Sequence, residues 1–230
     1  MVTFKGVGLD YPIGMTAIIG PRGSAANILL AGLRKTVPCV RGFIFANMDE
    51  LLNQQLQPDE AMDAFFHLLP QYQQELKERY PDTEQPFRHL VMSDFPQTDK
   101  QLKALLEFCP ALRLAYVDSP CNDGDKVYGL AMEFRRDYKE HFIFVNASRK
   151  IQYQAECIVS GMDITAIEAK SMKAEIFGRE RGGRKATDAW VYFNEIGQKP
   201  KPRPTCLAPP EPLPRGVTAP QQAQPTRAVA

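Results

Sequence analysis

Nowhere in the 230 residues does an apolar run reach the roughly 18 positions that a membrane-spanning helix needs, so no such span is expected. The opening stretch, MVTFKGVGLDYP, lacks a basic segment followed by an apolar one, which speaks against a secretory leader. Cysteines are few: Cys39, Cys109, Cys121, Cys157 and Cys206 are odd in number, widely spaced and without a CxxC pair. That pattern offers neither a disulfide framework nor a zinc framework, and it fits reduced thiols in a cytosolic-type compartment. The three histidines stand apart from one another, so no metal site is expected. Excess charge of one sign is lacking too. The 28 Lys+Arg face 27 Asp+Glu, a formal net charge of +1. This argues against a uniformly basic nucleic-acid coat, while leaving room for a local basic patch. No internal repeat is visible.

What the chain does have is 44% apolar residues, enough for one full domain core. Its prolines are unevenly placed, with nine of the 19 between Pro200 and Pro225. A Pro-rich stretch without an apolar period cannot bury enough surface to offset its chain entropy. Two units are therefore expected: a folded body, 1–198, and a disordered Pro-rich tail, 199–230, with polyproline II character. The tail carries Lys199, Lys201, Arg203, Arg215 and Arg227 against Glu211, which leaves the body mildly acidic. Such a tail is either a solvated extension or a docking segment for a protein partner that reads proline or presents acidic groups.

Within the body, short apolar runs alternate with helical periods. Strands are expected at 15–19, 40–45, 87–92, 112–117, 141–145 and 189–193. Helices are expected at 25–35, 58–80 (interrupted near Pro70), 99–108 with Asp99 as its cap, 150–160 and 164–177. Strands alternating with helices indicate an α/β fold: a mostly parallel, buried sheet with helices on both faces. Ligands of such sheets bind beyond the carboxyl ends of the strands, where loops 20–26, 94–97 and 118–126 would meet.

The first strand–turn–helix, MTAIIGPRGSAANILLAGL, has the frame of a phosphate-binding loop. That loop needs backbone N–H groups and a helix N-terminus facing the anion, a Lys for the phosphates and a Ser/Thr for Mg²⁺. The candidate nucleotide-binding residues are Gly20, Pro21, Arg22, Gly23, Ser24, Ala25, Ala26 and Asn27. Gly20 matches the first glycine. Ala25 stands at the second glycine, Ala26 at the lysine and Asn27 at the hydroxyl. Ala26 supplies no cation, and Asn27 offers only a neutral amide oxygen. The turn alone is equally that of many α/β proteins.

P-loop enzymes place a carboxylate at the end of another strand to hold Mg²⁺. Here LVMSDF leaves one candidate catalytic carboxylate, Asp94, with Ser93 or Phe95 where a second acidic residue could stand. It could equally close a strand before the turn at Pro96. The next strand ends in Asp118 and Ser119, where a polar sensor of the γ-phosphate can sit. GRERGGRKAT supplies Arg179, Arg181, Arg184 and Lys185, candidates for DNA phosphate contact or for an arginine donated to a neighbouring subunit's nucleotide. The plainer alternative is a solvated loop.

The order of these pieces over residues 15–193 resembles the poxvirus-type DNA-packaging ATPases of large DNA viruses, in the FtsK/HerA-like division of P-loop NTPases. IIGPRGSAANILLAGL is similar to the family's P-loop, FIFANMDE to its second strand and AFFHLLPQYQQELKERY to its glutamine-bearing helix. HLVMSDF is similar to its Walker B strand and LRLAYVDS to its sensor strand. YKEHFIFVNASRKIQYQAECIVSGMD resembles a late strand and helix, and DAWVYFNE a terminal strand. The resemblance implies an oligomer of ATPase-like subunits, Mg-ATP as cofactor, DNA as a partner, no membrane, and a place in the host cytoplasm, viral factory or virion. The departures at Ala26, Asn27, the single Asp94 and Asp118/Ser119 fall where the chemistry resides. The resulting expectation is a degenerate member, a pseudo-NTPase that binds Mg-ATP weakly if at all and serves virus assembly as scaffold or regulator. The alternatives are a divergent active ATPase driving viral DNA packaging, which uses Arg22 or a neighbouring subunit's arginine in place of the lysine, and an unrelated α/β interaction protein.

Overall fold

A computed structural model describes residues 14–21, 24–36, 42–47, 60, 67, 70, 74, 78, 81, 88–118, 126–178 and 186–198. Its centre is a five-stranded sheet in the order β2-β3-β1-β4-β5, every pair parallel. The strands are β1 (Gly14–Ile19), β2 (Phe43–Asn47), β3 (His89–Ser93), β4 (Arg113–Val117) and β5 (Phe142–Val145). Around them lie α1 (Ala26–Arg34), α2 (Asp99–Phe108), α3 (Lys126–Asp137), α4 (Ile151–Gly161), α5 (Ala166–Ile176) and α6 (Asp188–Gln198). Between β2 and β3, Glu60, His67, Pro70, Gln74 and Glu78 are each helical, within the span expected to be a helix.

Both sheet faces are covered, and strand alternation shows how. Met15, Ala17 and Ile19 of β1, Leu90 and Met92 of β3, and Leu114 and Tyr116 of β4 pack with Leu102 and Leu105 of α2 and Leu130 and Phe134 of α3. The intervening residues Ile18, Val91, Ala115 and Val117 pack the other way, against Leu29 and Leu33 of α1, Ile158 of α4, Ile176 of α5 and Phe193 of α6. A strand buried on both faces reads as a continuous apolar run, which is why β1, β3 and β4 are visible in the sequence. The α/β architecture expected from the sequence, with helices on both faces, is the architecture of the structure. Residues 199–230, expected to be a disordered tail, lie outside the described residues.

Three expectations are corrected. Residues 189–193, AWVYF, are not a strand but part of α6. Ala189 and Phe193 are fully buried one helical turn apart, and Phe193 lies against Gly32 of α1, where an added Cβ would meet its ring at 2.1 Å. Aromatic and β-branched residues suit a strand locally, yet here the docking face decides. The helix α3 was not anticipated. KVYGLAMEFRRD buries only Leu130, Ala131 and Phe134, a face too narrow to stand out among its polar neighbours. The cap of α2 is Thr98, whose side chain accepts from the Gln101 N–H at 3.3 Å, and Asp99 is the first helical residue.

The order of connections positions the site. The chain leaves β1 toward β2 in one direction and leaves β3 and β4 in the other. Right-handed crossovers then send α1 to one face and α2 and α3 to the opposite face. Connections therefore diverge beside β1, the arrangement that opens a crevice at the carboxyl edge of a parallel sheet.

Candidate functional site

The carboxyl ends of β1, β3 and β4 bring together most of the described residues that the sequence singles out. Gly20 follows β1 and passes close to β4. A Cβ at this position would lie 2.8 Å from the Val117 carbonyl oxygen and 2.6 Å from Ser24 Oγ, so only glycine fits the turn. Pro21 is buried, and its carbonyl accepts from the Ser24 N–H at 2.9 Å. Ala25 is the N-cap of α1 and offers no side-chain cap. The Ala26 N–H instead points to Ser24 Oγ at 3.4 Å. Arg22 and Gly23 lie outside the described residues.

Ala26, at the lysine position, is 1% exposed and packs into the core beneath α1. Asn27, at the hydroxyl position, is half-buried, and its Oδ1 accepts a hydrogen bond of 2.6 Å from Ser93 Oγ. Ser93 is the last residue of β3 and fully buried. In P-loop NTPases the metal sits between a hydroxyl on the loop and a carboxylate at a strand end. The pair that faces across that gap here is a carboxamide and a hydroxyl, already bonded to each other. Asp94 comes one residue later. Its backbone is in the left-handed region, φ 59°, its N–H donates to the Ile18 carbonyl at 3.0 Å, and the peptide between Phe95 and Pro96 is cis.

Asp118 continues β4, with its N–H donating to the Val145 carbonyl at 2.9 Å. Ser119 and the basic residues Arg179, Arg181, Arg184 and Lys185 lie outside the described residues. Among the described residues no group of three or more His, Cys, Asp or Glu could hold a metal ion. The donor set at the turn does not fit Mg-ATP as a hydrolytic cofactor. The oxygens of Ser93 and Asn27 are neutral and bonded to each other, and the position that would supply a cation is an alanine in the core.

A second constellation lies at the opposite, amino edge, where sequence reasoning placed nothing. Phe43, Arg88, His89, Asp163, Ile164, Thr165 and Glu168 line a cavity of about 350 Å³. His89 is 2% exposed, bonds through Nε2 to Thr16 Oγ1 at 2.9 Å, and stacks on Phe43 with ring centroids 5.2 Å apart. Burial pushes its pKa down from 6.5 to about 4, against the opposing pull of Asp163 and Glu168. It is therefore a neutral ring at pH 7. Thr165 caps α5 in a capping box with Glu168, and the Glu168 carboxylate also meets the Arg88 guanidinium. Burial alone would raise the Glu168 carboxyl, but the hydrogen bonds from Thr165 and the charge of Arg88 outweigh it and hold the group below its ordinary value. No local signal could have found this cavity, because His89 and Glu168 are brought together only by the docking of α5 on the ends of β2 and β3.

The class that fold and turn define is an α/β protein with a five-stranded parallel sheet, opened by a phosphate-loop-like strand–turn–helix. No family model matches the sequence, and no curated protein matches it. Among solved structures the chain is similar to a gluconokinase from Sinorhizobium meliloti 1021, with TM-score 0.38 and 14% identity over 73% of this chain and 98% of that one. It is also similar to a sugar kinase from Janibacter sp. HTCC2649, with TM-score 0.34 and 12% identity over 65% of this chain and 94% of that one. At these scores neither likeness assigns an activity to this chain. No helix among the described residues is long and apolar enough to cross a membrane.

Proposed function

We propose that this protein is a pseudo-NTPase: a P-loop-type α/β scaffold that has lost efficient hydrolysis and acts by binding other subunits. The observation that carries the reading is the Ser93–Asn27 hydrogen bond, which occupies the place where a hydroxyl and a carboxylate would grip Mg²⁺. Phosphoryl transfer depends on positioning and electrostatic stabilisation, so a site without the loop lysine, its hydroxyl or a paired carboxylate retains little of either. Any residual anion binding would rest on backbone N–H groups and the dipole of α1.

The finer reading is a role in virus assembly beside active packaging-type ATPase subunits, in a reducing compartment, with DNA as a further partner and the Pro-rich tail as a docking segment. It rests on the sequence layout over residues 15–193. One member of that layout, the terminal strand, is now the helix α6.

The test is calorimetric titration of the full chain with Mg-ATP, run beside a phosphate-release assay. The reading expects no turnover and no strengthening of nucleotide binding by Mg²⁺. Sustained phosphate release, abolished by Asp94→Asn, would overturn it and direct attention to a substitute cation, beginning with Arg22.

A further inference from the structure

The solvent side of α5 is apolar where a surface helix is ordinarily charged. The helix packs on α4 and α6 and buries only Met172 and Ile176. Its exposed residues are Ala166, Ile167, Lys170 and Ala174, followed by Phe177 at its C-cap. At about 100° per residue these five share one side, within about 100° of the helix circumference. Glu168, Lys173 and Glu175 are half-buried on the flanks, so the outward side holds a single charge. Ile167 is 78% exposed. The Phe177 ring meets the exposed ring of Tyr153 on α4, with centroids 5.4 Å apart. An apolar strip thus runs about 15 Å along α5, from Ile167 to Phe177. It is interrupted by Lys170, which has no ion-pair partner among the described residues.

We propose that this strip is a docking surface for an amphipathic helix of another protein that carries a carboxylate opposite Lys170. Residues 167, 170, 174 and 177 follow the 3-4-3 spacing by which two helices interlock, and the alanines at 166 and 174 let a partner backbone come close. The charge selects the occupant. Docking takes Lys170 out of water, and an unmatched buried ammonium is costly, so the partner must answer it with an acid. A second copy of this chain does not. Two strips side by side in parallel set Lys170 against Lys170, and antiparallel about their midpoint they set it against an alanine. Nor does the chain's own segment 199–230, which holds Glu211 as its one acid among five basic residues. The choice of a protein partner rests on the reading of the chain as a scaffold for other subunits, although no residue of the strip belongs to the turn.

The experiment uses the full chain and a labelled three-heptad helical peptide whose leucine seam carries a central glutamate. An analogue with a central lysine is the control, and anisotropy is read at concentrations where both peptides are monomeric. The glutamate peptide should bind saturably and about tenfold tighter than the lysine peptide. Lys170→Glu should reverse that order, and Ile167→Glu should weaken both peptides by about tenfold or more. Both substitutions are at exposed positions and should leave the thermal midpoint nearly unchanged. An absence of binding in a folded chain, an order unmoved by Lys170→Glu, or indifference to Ile167→Glu would each overturn the proposal. So would a dimer of the chain in sedimentation equilibrium that Ile167→Glu dissolves, which would make the strip a contact between copies. Binding of phosphatidylserine vesicles or a single-stranded oligonucleotide that is lost in both variants would overturn it in favour of that anionic surface. Phosphate release by the chain, measured beside these titrations, would overturn the pseudo-NTPase reading alone and leave the peptide result standing.

Discussion

Ser93 Oγ, at the end of β3, donates a 2.6 Å hydrogen bond to Asn27 Oδ1 in the first turn of α1, tying the strand beside β1 to the helix that follows β1. The contact holds together two elements that a metal ion would bridge in a hydrolytic P-loop protein. Ser93→Ala removes this donor from a buried position and should cost about 1 kcal/mol, read from the urea midpoint. Nucleotide affinity should not move.

Rebuilding the missing groups is the converse test. Ala26→Lys, Asn27→Thr and Ser93→Asp together should make ATP binding Mg²⁺-dependent and raise affinity by about tenfold or more, since hydrogen bonds to charged groups contribute roughly 1.5–3 kcal/mol each. The pair Ala26→Lys with Asn27→Thr should gain less. A lysine at the buried position 26 must run its stem out of the core, so the variants should also melt lower. Titration calorimetry of the double and triple variants separates these effects, and a triple variant indifferent to Mg²⁺ would show that the turn lacks P-loop geometry.

Gly32→Ala places a methyl 2.1 Å from the Phe193 ring, so α6 must shift away from α1. The expected cost is about 1–3 kcal/mol by chemical denaturation. Phe193→Leu in the same chain should recover part of it. A double-mutant cycle showing no coupling would mean that the two helices do not meet as described.

His89 gives a pH signature. Its folded pKa of about 4 lies below its ordinary value of 6.5, so the unfolded chain binds the proton more readily. Its contribution is full above about pH 6.5 and is lost as the pH falls toward about 4, a difference of roughly 3 kcal/mol. Urea unfolding at pH 7 and pH 5 should differ less in His89→Gln than in the natural chain. An identical pH dependence in both would show that His89 is not buried as a neutral ring.

At α5, Glu168→Gln should keep the capping box and lose only the charge toward Arg88, whereas Glu168→Ala loses both. Arg88 is 41% exposed, so its pairing contributes a few tenths of a kcal/mol, and the cap dominates. Glu168→Ala should therefore be about 1 kcal/mol less stable than Glu168→Gln, measured by thermal melting.

The sheet was legible because β1, β3 and β4 are buried on both faces and must be apolar throughout, and the five strands lie within a few residues of where the sequence puts them. The helix α6 was misread because AWVYF suits a strand locally, and nothing nearby in the sequence reveals that Phe193 needs the gap left by Gly32. The candidate turn was legible as a spacing of residue types around Gly20. That Ser93, rather than Asp94, faces Asn27 was not, because it depends on the register of β3 against β1, in which Ile18 pairs with Ser93. The cavity at the amino edge was invisible for a related reason, its lining coming from β2, β3 and the start of α5.

The tightness of Gly20 against the Val117 carbonyl has a further consequence. At Gly20 the path of the chain is set by main-chain crowding between two neighbouring strands. A loop shaped by a bound ligand would depend on that ligand for its course, whereas the packing of Gly20 needs none. Shape and chemistry are thereby uncoupled at this turn: its outline rests on the fit of Gly20 between the strands, and its chemistry on the side chains that stand at 25, 26 and 27.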